Sequence, residues 1–127
     1  VEKIIALWTE RFTELCRDSR HKYVMIFENR GEEVGVTMPH PHGQIYAYPV
    51  IPLKIKTELA SCKAHYEQTE HCLLCDMNKE EKSFKRRVIA ENEHFLCYLP
   101  YFTDYPYGAF IVSLEHKTAI TDFNKAE

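Results

Sequence analysis

Segments with helical periodicity alternate with segments that have the composition of strands, and this alternation is the feature that most constrains the fold. Apolar residues at helical spacing over residues 2–17 predict an amphipathic helix. A continuous β-prone run at residues 23–28 follows and is closed by the turn signal Asn-Arg-Gly. A second β-prone run covers residues 45–51. Helices and antiparallel-looking strands therefore mix, which predicts an α+β fold.

The second part of the chain continues this mixture. Pro52 suits the first position of a helix, and apolar spacing extends that helix over residues 53–68. A turn-like stretch with two cysteines and then a charged stretch follow it. Further along, the patterns predict three short strands and the start of another helix, at residues 87–90, 95–99, 109–113 and from 118 onward.

The bulk properties exclude several classes of protein. The chain has 127 residues with 45% apolar residues, enough for a real core. A net charge of −3 without a long basic block argues against a nucleic-acid partner. No apolar run approaches the roughly 18–20 residues of a membrane span, so we expect a soluble protein. Five cysteines, an odd number, favour a reducing compartment and predict a cytoplasmic protein.

Both ends of the sequence predict a segment cut from a longer protein. The helical pattern starts directly after Val1, without a capping residue before it. At the other end, Thr121 and Asp122 have the character of a helix cap, but only five residues follow them.

The stretch His40-Pro41-His42-Gly43-Gln44 concentrates polar chemistry at the entry to the second predicted strand. Because side chains alternate along a strand, the two histidines and the glutamine should share one face. Gly43 adds no bulk on the other face, which would let a large group approach the backbone. Three interpretations remain open from spacing alone: a solvated turn, a pair of metal ligands, or a histidine nucleophile that attacks phosphorus. A neutral imidazole suits the third, because an unperturbed pKa of about 6.5 leaves it unprotonated at neutral pH.

The surrounding motifs resemble those of a known family, the galactose-1-phosphate uridylyltransferases of the histidine-triad superfamily. The resemblance covers nearly the whole chain, and it rests on these stretches: Phe27-Glu28-Asn29-Arg30-Gly31, Pro39-His40-Pro41-His42-Gly43-Gln44-Ile45, Pro52, Glu58, the segment at residues 87–95, Pro100-Tyr101, Tyr105-Pro106-Tyr107 and Glu115-His116.

The resemblance implies a ping-pong reaction in which His42 takes the uridylyl group from UDP-glucose and passes it to galactose 1-phosphate. Gln44 would hold the phosphoryl oxygens where histidine-triad hydrolases carry a third histidine. A carboxamide donates hydrogen bonds but passes no proton to a leaving group, which favours transfer over hydrolysis. Asn29 and Thr37 fall where the family contacts the nucleotide phosphates, with Thr37 in place of the usual serine.

The resemblance also implies metal ligands. His40 matches a structural-zinc histidine whose partners would lie upstream of residue 1, so His40 by itself cannot complete a four-ligand site. Glu58 matches a carboxylate ligand of a second metal, whose histidine partners would lie beyond residue 127. An exposed helix glutamate is the alternative interpretation of Glu58.

Cys72 and Cys75 form a CxxC pair, which is compatible with a redox pair, half of a zinc site, or coincidence. The redox interpretation requires a helix that follows a strand in a thioredoxin-like unit, and the sequence predicts none. Family members that keep a zinc in their second half resemble this pattern, with His116 as the third ligand. The resemblance implies that the fourth ligand comes from a His-X-His of the second half beyond residue 127, and water, His71 or a neighbouring chain would fill that position here. Two buried thiols and a surface histidine are the alternative.

The family is built from two histidine-triad-like halves, each an antiparallel sheet with flanking helices. The resemblance implies that residues 1–52 finish the first half, residues 53–71 form a connecting helix, and residues 72–127 begin the second half. An open sheet edge would favour self-association, and we expect a homodimer. Two other functions stay open: a nucleoside-diphosphate-sugar phosphorylase with the same nucleophile, and a non-catalytic fragment that binds zinc or self-associates.

Overall fold

A computed structural model of the chain describes residues 1–36, 40 and 42–127. The chain divides into two compact units, Val1–Lys56 and Thr57–Glu127. The predicted α+β class is confirmed, because helices are combined with small antiparallel sheets. The elements in chain order are α1 (Glu2–Arg17), β1 (Tyr23–Glu28), β2 (Gly43–Tyr48), α2 (Leu53–Thr69), α3 (Leu73–Phe84), β3 (Val88–Glu91), β4 (Phe95–Tyr98) and β5 (Phe110–Ser113), with 3₁₀ turns at Glu32–Val34 and Ile120–Asp122.

The first unit is built on an antiparallel pair of strands. β1 pairs with β2 from Tyr23 opposite Tyr48 to Glu28 opposite Gly43. Helix α1 packs on β1. Because side chains alternate across a sheet, one face carries Gln44 and its neighbours at every second position, while the opposite face turns Gly43 toward the indole of Trp8.

The second unit contains a three-stranded antiparallel sheet in the order β3-β4-β5. Its central strand supplies the most buried side chains of the described residues, Leu96 and Tyr98, which are 0% and 1% exposed. Helix α3 packs on β4, and the hydroxyl of Tyr98 donates a 3.0 Å hydrogen bond to Oδ1 of Asn78. Burial raises the pKa of Tyr98, and the nearby Glu81 raises it further.

Glu81, which is buried, and Arg87, which is partly exposed, form an ion pair that the sequence patterns did not predict. The guanidinium of Arg87 donates from Nε and Nη2 to the two carboxylate oxygens of Glu81, at 3.0 and 2.7 Å. Glu81 is 7% exposed, and the guanidinium of Arg87 lies 4.6 Å from the centre of the Phe84 ring. The pair fixes the turn between α3 and β3.

Three predicted elements differ from the observed ones by more than a residue. The helix predicted from residue 118 onward is only the 3₁₀ turn Ile120–Asp122 in the described structure. The charged stretch after the cysteine pair belongs to α3, because Leu73 and Met77 provide an apolar stripe at helical spacing. The ion-paired Glu81 continues this stripe, whereas Lys79, Glu80 and Lys82 are exposed. The strand predicted at residues 45–51 instead begins at Gly43 and ends at Tyr48, since Pro49 has no N–H for the ladder. No helix of the described residues is long and apolar enough to cross a membrane.

Candidate functional site

His42 lies directly before β2, with its ring oriented by the backbone. Its Nδ1 lies 3.1 Å from the carbonyl oxygen of His40. A carbonyl oxygen accepts hydrogen bonds and donates none, so this contact places the imidazole proton on Nδ1. The lone pair of the neutral ring is therefore on Nε2, which is the form that a nucleophilic histidine requires.

The rings of His40 and His42 are neighbours, with centroids 6.0 Å apart and an interplanar angle of 58°. The ring of His40 is exposed, and its backbone carbonyl makes the contact with His42. The two histidines thus have different parts in this contact: the ring of His42 is oriented by it, whereas His40 contributes its backbone carbonyl.

Gln44 is half-buried on β2, opposite Phe27 of β1. Its carboxamide oxygen accepts a 3.2 Å hydrogen bond from the hydroxyl of Tyr46. Gln44 lies two residues after His42, and the shared face predicted for these two side chains stays a prediction, because β2 begins at Gly43. Tyr46 was not among the predicted site residues; its position two residues after Gln44 on a strand is the sequence signal that could have identified it.

Gly43 faces the other side. A Cβ atom placed there would lie 3.6 Å from Cζ2 and Nε1 of Trp8, an ordinary contact distance. The indole of Trp8 is the neighbouring side chain at this glycine, and the approach of a large group beside it stays a prediction.

Asn29 is exposed and follows β1 directly. The last pair of the ladder is Glu28 opposite Gly43, so Asn29 and His42 leave the sheet at the same end. This placement is compatible with the predicted phosphate contact of Asn29. Thr37, the other predicted phosphate ligand, lies outside the described residues.

The second unit brings together Cys72, Cys75 and His116. Their candidate ligand atoms all lie within 4.8 Å of one another, and Sγ of Cys75 is 3.2 Å from Nδ1 of His116. Cys72 occupies the N-cap position of α3 and Cys75 its first turn, while His116 follows β5. Burial raises the pKa of the Cys75 thiol, and its hydrogen bond with Cys72 acts in the same direction. The CxxC pair therefore opens a helix, but the preceding element is helix α2 and not the strand of a thioredoxin-like unit.

Glu58 lies on α2 and lines a cavity of about 420 Å³ together with the two cysteines and His116. His71, a predicted candidate for the fourth ligand, makes a different contact: its Nδ1 is 3.6 Å from Oδ2 of Asp76. The same carboxylate oxygen accepts a 2.8 Å hydrogen bond from Nε2 of His65, which lowers the pKa of Asp76. Among the residues that the structure describes, the cluster of possible metal ligands contains the two cysteines and His116 but not His71.

In this α+β fold, a histidine held by a backbone carbonyl directly precedes a strand that carries a carboxamide. Residues 1–52 match the family described as galactose-1-phosphate uridyl transferase, N-terminal domain. The whole chain is 37% identical over 127 residues to the galactose-1-phosphate uridylyltransferase of Thermotoga maritima and covers 39% of that protein. The resemblance predicted from the motifs is therefore confirmed.

Solved structures give the same result. A structure of a uridylyltransferase superposes with a TM-score of 0.88 at 27% identity, covering 96% of this chain and 38% of that one. An ADP-glucose phosphorylase from Arabidopsis thaliana with bound ADP-glucose superposes with a TM-score of 0.85 at 28% identity, covering 98% of this chain and 38% of that one. The chain thus spans roughly two fifths of the length of these relatives.

Proposed function

We propose that this protein is a nucleotidyltransferase that exchanges UMP between UDP-glucose and galactose 1-phosphate through a uridylyl-histidine. The observation that carries the proposal is the contact between Nδ1 of His42 and the His40 carbonyl, which leaves Nε2 as the nucleophilic atom. Relatives named galactose-1-phosphate uridylyltransferase supply the substrate pair.

In the proposed first half-reaction, Nε2 of His42 attacks the α-phosphorus of UDP-glucose. A P–N bond forms, the P–O bond to the β-phosphate breaks, and glucose 1-phosphate leaves with the electron pair as a stable phosphate. The carboxamide of Gln44 donates hydrogen bonds to the phosphoryl oxygens, on which charge develops. Galactose 1-phosphate then attacks the same phosphorus and releases the histidine. Asn29 and Thr37 are proposed as further phosphate ligands.

We also propose that Cys72, Cys75 and His116 hold a zinc ion. Two thiols and an imidazole are ligands that zinc prefers, and the candidate ligand atoms lie within 4.8 Å of one another. Such an ion would act structurally, by joining the start of α3 to the segment after β5. Glu58 lines the same cavity and is proposed as a carboxylate ligand of a second metal. That second site and the proposed zinc contact of His40 both require ligands from outside this chain.

Mass spectrometry tests the nucleophile. The protein as its gene encodes it is incubated with UDP-glucose, and a uridylyl adduct is expected on wild type and on His21→Ala but not on His42→Ala. His21 is the matched control, since its Nδ1 lies 2.9 Å from the carbonyl oxygen of Leu15 in a comparable contact. Absence of an adduct on the wild-type protein would overturn the proposal.

A nucleoside-diphosphate-sugar phosphorylase is the second candidate, and the similarity to the ADP-glucose phosphorylase favours it specifically. The two functions share the nucleophile and differ in the acceptor. Discharging the adduct with galactose 1-phosphate or with inorganic phosphate, in parallel, distinguishes them, and the faster acceptor identifies the reaction.

The proposed organisation is that of two related halves, with residues 1–52 from the first, 53–71 as the connecting helix and 72–127 from the second. Self-association into a homodimer is proposed because β1 and β2 form a sheet of two strands in the described part of the chain. A cytoplasmic location is proposed from the five cysteines, all of which are free.

A further inference from the structure

We infer that Tyr46 is a positioning residue, whose hydroxyl holds the carboxamide of Gln44 in the orientation that presents its N–H groups to a phosphoryl group. The inference rests on the proposed function and adds a residue to it. Tyr46 touches neither of the reacting atoms in this account; it acts through Gln44.

The hydrogen bond between Tyr46 and Gln44 can have only one donor. The hydroxyl oxygen of Tyr46 lies 3.2 Å from Oε1 of Gln44. A carboxamide oxygen only accepts, so the phenol donates its proton to it. With the oxygen engaged by Tyr46, the NH₂ group of the same carboxamide is the end that remains to face a ligand.

The phenol ring is itself held in place. It packs edge-to-face against Phe27, with centroids 4.8 Å apart at 83°, and against Tyr48, with centroids 5.9 Å apart at 74°. Strand alternation puts Tyr46 and Tyr48 on the face of Gln44, and Phe27 is the direct cross-strand partner of Gln44. Although 45% of Tyr46 is exposed, its hydroxyl is thus directed at the carboxamide by two ring contacts.

Orientation matters because a carboxamide has two ends of opposite character on a terminal torsion that is roughly two-fold. Phosphoryl oxygens only accept hydrogen bonds. One orientation offers them N–H donors, and the reverse offers an oxygen that repels them. A single neutral hydrogen bond to Oε1 is enough to favour the productive orientation several-fold.

The test compares Tyr46→Phe with Tyr48→Phe in the protein as its gene encodes it. Each variant removes one hydroxyl from the same face of β2 and keeps the ring. The single-turnover rate of uridylyl-adduct formation with UDP-glucose is expected to fall about 3- to 10-fold for Tyr46→Phe and to stay at the wild-type value for Tyr48→Phe. Melting temperatures of both variants verify that they fold.

A double-mutant cycle separates positioning from a general structural role. In a Gln44→Ala background, Tyr46→Phe should cause no further loss of rate, because the group it orients is gone. The inference would be overturned by an unchanged rate for Tyr46→Phe alone, or by an equal loss of rate in the presence and absence of Gln44. In either case, adduct formation by the wild type would leave the proposed function standing. A wild-type protein that forms no adduct overturns both.

Discussion

Nδ1 of His42 and the carbonyl oxygen of His40 lie 3.1 Å apart, and this contact determines the tautomer of the imidazole. The donor and the acceptor are separated by a single residue, so the hydrogen bond is local. A nearby backbone acceptor can therefore fix the tautomer of the ring without help from a distant carboxylate.

The tautomer is directly measurable. Nitrogen-15 NMR of the protein at mildly alkaline pH should show His42 as the Nδ1–H tautomer, and the uridylyl group should be found on Nε2. His65 provides an internal contrast, because its Nε2 contacts Asp76 at 2.8 Å and the Nε2–H tautomer is expected there. An Nε2–H tautomer at His42 would contradict the assignment of the nucleophilic atom.

Removing one thiol of the cysteine cluster should lower the metal content. Cys75→Ser is expected to carry about one zinc ion fewer per chain than wild type, since two remaining protein ligands hold zinc poorly. Elemental analysis of the purified full protein measures this. Cys62→Ser is the matched control: Cys62 is half-buried and near Cys72, and burial raises its thiol pKa, but it is not in the cluster. Equal zinc in all three proteins would argue against the site.

Breaking the partly buried ion pair between Glu81 and Arg87 should destabilise the second unit. Arg87→Ala leaves the carboxylate of Glu81 buried without its bidentate partner, so the melting temperature is expected to fall by about 5 °C or more. Arg86→Ala is the control, because Arg86 lies 5.6 Å from the same Phe84 ring and is exposed. Similar decreases in melting temperature in both variants would show that contact with the Phe84 ring, and not the pairing with Glu81, stabilises the unit.

Asp122 should make the stability of the C-terminal segment depend on pH. Its Oδ2 accepts hydrogen bonds from N and Oγ1 of Thr118 at 2.8 and 2.7 Å and from N of Ala119 at 3.0 Å, which lower the pKa of Asp122. A lowered folded-state pKa means that the stabilisation is present above the unfolded value of about 3.9 and is lost as the pH falls through the folded value.

Urea unfolding at a series of acidic pH values tests this dependence. Asp122→Asn should be less stable than wild type near neutral pH, and the difference should shrink on acidification. Glu93→Gln, at an exposed position, serves as the control. A difference that stays constant with pH would contradict the role assigned to the Asp122 carboxylate.

Local patterns predicted most of the elements. α1 and β1 were predicted with the observed bounds, because each pattern is contained in its own segment. The pattern is amphipathic spacing for α1 and a run of β-branched and aromatic residues for β1. α3 was missed, because its many charged residues obscure its apolar stripe in the sequence. The stripe becomes clear only from the packing of α3 on β4.

The chemical groups of the candidate site were determined by the sequence alone: two imidazoles and a carboxamide at alternate positions, and a CxxC pair. Tertiary structure decided how they are used. Cys75 and His116 are 41 positions apart in sequence and are brought together by the packing of the second unit. The hydroxyl of Tyr46 meets Gln44 because pairing with β1 fixes the ring beside Phe27. Residue identity determines which bonds are possible, whereas distance and direction come from packing, which no local pattern contains.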